Sequence, residues 1–203
     1  MKTILVTTDF SDLSHYAFRL AERIASKSGA TLHLLHVVAL PSHILLSKEG
    51  ELLDDCEMDT TSTRMQRAEA IERLEAIEKS SACAVKRHTK LGQINERVVE
   101  CSRELNADLI VMASHGIHSM KERIAGSHTE YVAMHSKSPV LSIKSDESGH
   151  DFNSMVLASS FQADDIPNCE LVLELQKVFN SKIHLLRVNS SKDFLADHDA
   201  IAN

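Results

Sequence analysis

Two short turns within residues 107–127 have the residue types expected of an anion-binding loop. Residues 113–116 (ASHG) follow an apolar run, and residues 126–127 (GS) come directly before a helical pattern. Glycine lets the backbone approach a ligand closely, and a helix N-terminus presents unpaired N–H groups, so both turns are suited to phosphate. The alternative is that the glycines only terminate a strand and cap a helix.

The segment that precedes these turns indicates how they are held. Residues 109–112 (LIVM) lack polar alternation, which is typical of a parallel strand buried on both faces. The pattern along the chain predicts strands at 3–8, 31–38, 82–91, 109–112 and 139–144, and helices at 12–28, 59–80, 94–105 and 129–135. This order predicts an α/β fold, an open, doubly wound five-stranded parallel sheet with helices on both faces. The third strand is the most polar, which places it near a sheet edge.

Asp9 ends the first predicted strand, and the two turns follow the fourth. In open α/β sheets ligands bind at the carboxyl ends of the strands, near the point where the strand order reverses. We therefore expect Asp9 and residues 113–127 to lie at one edge of the sheet and to form one site.

Composition narrows the class of ligand. The net charge of −7 argues against a general surface for nucleic acid or an anionic membrane, because both require clustered lysine and arginine. The four cysteines form no CxxC pair, and no apolar run approaches the length of a membrane span, so we expect a reduced, cytoplasmic protein. A phosphate ligand would have to be held locally.

The beginning of the chain recurs near its end. A shift of 151 residues without gaps sets Ile4 on Met155, Leu20 on Leu171 and His33 on His184. Gly29 falls on Asn180, the other residue type that tolerates a left-handed helix cap. We therefore expect a complete domain at 1–144, a linker at 145–153, and at 154–203 a partial second copy (βαβ) of the first domain.

The chain resembles the universal stress protein family over the whole first domain. The matching segments are ILVTTDFS, LLHVV, ADLIVMASHG, the pair Gly126-Ser127 and SPVLSIK. The nucleotide-binding branch of that family has glycine, two residues, glycine, nine residues, and then glycine with serine or threonine. This chain keeps the nine-residue gap between Gly116 and Gly126.

The resemblance implies a site for ATP with Mg²⁺. Carried over by position, it assigns the adenine side to Asp9 and Val37, with Thr7 and Thr8 in the adjoining turn. The ribose and phosphate path would be lined by Met112, Ala113, His115 and Gly116. The phosphates would meet Gly126, Ser127, and His128 or Thr129.

This sequence departs from the family pattern in two places, at Ala113 and Thr7. Ala113 replaces the first glycine, and its methyl group disfavours positive φ, so the loop is either narrowed or tolerates the change. Thr7 stands where nucleotide-binding members often have proline. In the second copy Ser160 replaces Asp9 and no glycine loop follows, so we expect one nucleotide site, in the first domain.

The resemblance further implies association through the last strand, Pro139 to Ile143, as a homodimer or, between two repeats, as a pseudo-dimer. The histidines at 115, 118, 128 and 135 match no compact zinc signature, so no metal site is expected. No nucleophile motif or P-loop is present. The functions left open are an ATP-binding regulatory protein, a nucleotide-free interaction module of the same fold, and a slow ATPase.

Overall fold

A computed structural model describes residues 1–40, 57–114, 128–146, 149–159 and 166–187. The chain divides into two compact units, Met1–Gly149 and His150–Asn203. In the ranges given above, no helix is both long and apolar enough to cross a membrane.

The first unit alternates strands and helices. Its elements are β1 (Thr3–Thr7), α1 (Asp12–Ser28), β2 (Thr31–Ala39), α2 (Glu57–Ser80), β3 (Val85–Gly92), α3 (Ile94–Glu104), β4 (Leu109–Ala113), α4 (His128–His135) and β5 (Val140–Ile143). The five strands form one parallel sheet in the order β3-β2-β1-β4-β5. The predicted five-stranded parallel α/β fold is confirmed, and β3 lies at a sheet edge as its polarity indicated.

One face of the sheet is covered by α3 and α4. Leu5, Leu35, Ile110 and Met112 point to this face and pack with a buried cluster that includes Val98. Alternation along a strand explains why these residues share a face, because the pairs Leu5↔Ile110 and Thr7↔Leu35 keep the same parity across the sheet. The apolar line of α3 thus fixes the helix beside the carboxyl end of β4.

The other face is covered by α1 and α2, which together line a cavity of about 230 Å³. The sequence pattern assigned the buried line of α2 to Ala68, Ile71, Leu74 and Ile77. The structure buries Leu74, as predicted, together with Ala70, whereas Ile71 is 41% exposed. Ala70 packs against Val38 and Leu91, so a small residue at this contact brings the helix close to β2 and β3 and turns Ile71 outward.

Helix α1 begins and ends where the sequence predicts. The Ser11 hydroxyl accepts a hydrogen bond from the Ser14 N–H and caps the N-terminus, and Gly29 ends the helix with φ 74°. The helix therefore starts three residues after Asp9, and its first turn lies at the carboxyl edge of the sheet.

The second unit contains β6 (Ser154–Ala158), α5 (Ile166–Phe179) and β7 (Lys182–Leu186), with the two strands parallel. The register Ser154↔Lys182 is the register Thr3↔Thr31 of the first unit shifted by 151 residues. Asn180 has φ 54°, at the position equivalent to Gly29. Val156 on β6 is 65% exposed, whereas its equivalent Leu5 is fully buried.

A histidine pair joins β2 to β3. His33 Nδ1 and His88 Nε2 are 2.9 Å apart, and the two rings stack. Burial lowers the pKa of both rings. The neighbouring Lys86 lowers both pKa values further, Lys90 also lowers that of His88, and Glu104 partly opposes the shift at His88. One ring donates and the other accepts, so the contact requires the accepting ring to be neutral and is lost when both rings are protonated.

We expect the free energy of unfolding to decrease as the pH falls below 6.5, the usual histidine pKa. Below that pH the unfolded chain binds protons that the folded chain takes up only at lower pH, so acid favours unfolding. His88→Gln keeps a hydrogen-bonding group and should flatten this dependence in denaturation measured from about pH 7 to 5. His36, whose pKa is also lowered, supplies a residual slope. The exposed His15→Gln variant is the control, and an unchanged slope in His88→Gln would contradict the assignment.

Candidate functional site

A cavity of about 140 Å³ opens at the carboxyl edge of the sheet, where β1 and β4 lie side by side. Strands β1, β2 and β4 and helices α1, α3 and α4 all contribute to its walls. Seven residues that the sequence assigned to the site line this cavity, namely Thr7, Thr8, Asp9, Val37, Met112, Ala113 and His128. The cavity lies where the strand order reverses, which is the usual ligand position in open α/β sheets.

Five further residues line the cavity although sequence reasoning did not assign them to it: Ser14, Leu35, His36, Ile94 and Val98. Two of these five residues could have been predicted from the sequence. Ile94 and Val98 lie on the apolar line of the helix that follows β3, and the start of that helix lies at the same sheet edge as the strand ends. The roles of Ser14 and His36 depend on contacts between elements, which a periodic pattern does not encode.

Asp9 is held by the start of α1. The Ser11 N–H and hydroxyl donate to Asp9 Oδ1 at 2.9 and 2.6 Å. Burial acts to raise the pKa of Asp9, but the hydrogen bonds from Ser11, together with Ser14, outweigh it and hold the pKa below its usual value. Both Ser11 donors use Oδ1, and Asp9 is one of the residues that line the cavity.

Thr8 lies just beyond β1, which ends at Thr7, so Thr7 belongs to the strand rather than to the turn that the resemblance implied. The Thr8 hydroxyl accepts from the Phe10 N–H at 3.0 Å and lies 3.0 Å from the Ser14 hydroxyl. Ser14 donates in turn to the Ser11 carbonyl at 2.9 Å. These bonds make the turn after β1 a closed polar network.

Ala113 is the last residue of β4 and pairs with Ile143. The described non-glycine residues with positive φ are Phe10, Asn106, Phe152 and Asn180, so Ala113 has the backbone of an ordinary strand residue. Of the two alternatives left open by the sequence, the backbone at this position favours tolerance, because it does not have positive φ. Ala113 is one of the residues that line the cavity.

Hydrogen bonds from the first turn of α4 hold this helix at the same edge of the sheet. His128 Nδ1 donates to Asn95 Oδ1 on α3, and the Thr129 hydroxyl donates to the Ala113 carbonyl at 3.4 Å. His135, seven residues on, stacks on Tyr131 and bonds to its carbonyl. In the part of the chain described by the structure, no three histidine, cysteine or acidic side chains are grouped to hold a metal ion.

Four of the assigned site residues, His115, Gly116, Gly126 and Ser127, lie outside the described residues, as does His118. The geometry above therefore concerns the side of the site assigned to the base and ribose, together with the start of α4.

Comparison with known proteins gives a consistent result for the first unit. The model of the universal stress protein family matches residues 1–144. Universal stress protein G of Escherichia coli O157:H7 is 32% identical over 148 residues, which cover 70% of this chain and 99% of the relative.

Two solved structures extend the comparison. That of MJ0577, a universal stress protein of Methanocaldococcus jannaschii, is 28% identical with a TM-score of 0.56, over 71% of this chain and 96% of the other. That of a universal stress protein from Archaeoglobus fulgidus has a TM-score of 0.69 over 98% of this chain and 72% of the other. At 20% identity the latter shows similarity of fold alone.

Proposed function

Since the chain belongs to the universal stress protein family, we propose that it binds ATP with Mg²⁺ and acts as a nucleotide-dependent regulatory protein in a cytoplasmic stress response. The observation that carries the proposal is the convergence of seven assigned site residues on one cavity at the carboxyl edge of the sheet. This edge is also where open α/β sheets place phosphorylated ligands.

The base would occupy the apolar side of the cavity. Leu35, Val37, Ile94, Val98 and Met112 supply apolar surface to an aromatic ring. Beside them, the ionised carboxylate of Asp9 is an acceptor without a donor proton. An exocyclic amino group can donate to it, whereas a carbonyl oxygen at the same position would be repelled. When the 6-position of the purine faces Asp9, this combination favours adenine over guanine.

The triphosphate would reach toward the start of α4, where His128 and Thr129 lie. Backbone N–H groups at a helix N-terminus stabilise anions, and the resemblance assigns Gly126 and Ser127 to the same role. Phosphate oxygens would supply most of the ligands of Mg²⁺, which needs few protein ligands when bound with a nucleotide.

Nucleotide content and thermal stability test this function. Protein purified without stripping should carry adenine absorbance, and added Mg-ATP should raise the melting temperature. A ligand present at 100 times its Kd stabilises the folded state by about 2.7 kcal/mol. The matched variant Gly126→Val should lose the shift. Absence of both the absorbance and the shift at millimolar ATP would overturn the proposal.

The same assay separates the two alternatives. A nucleotide-free interaction module, which alanine in place of the first family glycine favours, predicts no shift with any nucleotide. A slow ATPase predicts phosphate release above that of Gly126→Val, whereas equal rates would exclude it.

Association through Pro139 to Ile143 is part of the proposal. Strand β5 ends the sheet order, and its Val140 and Leu141 side chains are half-buried. An edge strand with apolar side chains favours pairing with another chain. We also propose that the second unit is an incomplete copy of the first, which its 151-residue register shift and the left-handed Asn180 support.

A further inference from the structure

His36 lies between the cavity and α2. Its half-buried ring lines the cavity, and its Nδ1 is 2.8 Å from the Thr8 carbonyl oxygen. Because a carbonyl only accepts, Nδ1 carries the proton and donates. The residue therefore ties β2 to the turn that follows β1, one residue before Asp9.

The backbone conformation of Phe10 explains why this turn requires stabilising contacts. Its φ of 65° is in the left-handed region, which a bulky side chain rarely adopts and only where surrounding contacts hold it. The Phe10 ring lies 4.4 Å from the His36 ring, and the Arg73 guanidinium of α2 lies 4.1 Å from the Phe10 ring centroid. We call Phe10, His36 and Arg73 the aromatic stack.

Asp9 lies between Thr8, whose carbonyl accepts a hydrogen bond from His36, and Phe10, whose ring contacts His36 and Arg73. His36 fixes the carbonyl of Thr8, and ring contacts fix the side chain of Phe10, so the backbone direction at Asp9 is set from both sides. Ser11 then fixes one oxygen of the Asp9 carboxylate. The direction of the other oxygen depends on the turn and, through the turn, on His36.

We infer that His36 is a positioning residue that sets base selectivity by holding Asp9 toward the base edge. This inference rests on the proposed binding of ATP. His36 acts through the turn and needs no contact with the ligand. Substitution of His36 should therefore reduce the preference for ATP over GTP more than it reduces the affinity for phosphate groups.

Two substitutions separate positioning from simple packing. His36→Leu keeps apolar bulk and removes the donor, whereas His36→Asn places an amide N–H near the position of Nδ1. Dissociation constants for Mg-ATP, Mg-GTP and inorganic tripolyphosphate are measured by calorimetry. We expect His36→Leu to weaken ATP binding at least tenfold and GTP or tripolyphosphate binding less than threefold, and His36→Asn to restore most of the ATP preference.

His88→Leu serves as the matched control, because it removes another hydrogen-bonded strand histidine outside the cavity. It should lower the melting temperature and keep the ATP-to-GTP ratio. Should His36→Leu fail to fold, Phe10→Leu loosens the same turn and should lower the ratio in the same direction.

An unchanged ratio in the folded His36→Leu or Phe10→Leu variant, or an equal loss for all three ligands, would overturn the inference while leaving ATP binding intact. Failure of the wild type to bind any nucleotide would instead overturn the proposed function, and the inference with it.

Discussion

Replacing Asp9 with asparagine is expected to weaken ATP binding about 30-fold, or about 2 kcal/mol, because a charge-assisted hydrogen bond to the base is lost. The asparagine carbonyl can still accept from Ser11, so the start of α1 should remain intact. Its amide group then presents donor protons where Oδ2 of the carboxylate had faced the base. An adenine amino group would meet a second donor there, whereas a guanine carbonyl would meet a partner.

Titration calorimetry with ATP and GTP tests this prediction. The preference for ATP should shrink or reverse in Asp9→Asn, with the melting temperature of the free protein nearly unchanged. Asp12→Asn, an exposed residue in the first turn of α1, is the matched control. Equal ATP affinity in wild type and Asp9→Asn would place the base elsewhere. Because the pKa of Asp9 is lowered, the wild-type preference should persist at mildly acidic pH.

Enlarging Ala113 is expected to abolish binding. Ala113 lies at the carboxyl end of β4 and lines the cavity of about 140 Å³, so we expect a leucine side chain there to obstruct the cavity. The strand backbone accepts leucine without strain, since Ala113 is paired with Ile143 in a regular ladder. We expect Ala113→Leu to lose at least 100-fold in ATP affinity, about 3 kcal/mol, while remaining folded.

Ala133→Leu, an exposed alanine on α4, controls for a general effect of the added side chain. Ala113→Gly should alter the affinity only a few-fold, because the position needs no left-handed backbone. Retained ATP binding in Ala113→Leu would show that the nucleotide does not enter this cavity.

Sequence patterns were sufficient for the sheet because the signals were strong and local. The buried run at residues 109–112, the Ser11 cap and the Gly29 stop each determine structure within a few residues. The buried face of α2 was predicted correctly at Leu74 and wrongly at Ile71, since its packing depends on the small size of Ala70 against residues of other elements. Apolar spacing favoured Ile71, and tertiary packing overrode it.

The candidate site was predictable where it depends on strand ends, and less so elsewhere. Asp9 and Ala113 were expected at one edge because parallel strands bring their carboxyl ends together, and the family resemblance added Thr7, Val37 and Met112. The contact of Arg73 with Phe10 joins residues far apart in the sequence, and no periodic pattern predicts it. The same holds for the bond from His36 to the Thr8 carbonyl.

The adjacency of β1 and β4 bears on when binding can begin during synthesis. The Asp108 carboxylate accepts from the Thr3 N–H at 2.8 Å across a sequence separation of 105 residues, and Ile4 pairs with Leu109. Such pairing requires closure of a long loop, so we expect it to form later in folding than the helices and the contacts between residues that are close in the sequence. A ribosome-bound chain that has not yet exposed Met112, Ala113 and His128 lacks part of the cavity wall, so the proposed binding would begin only after most of the first unit has been synthesised.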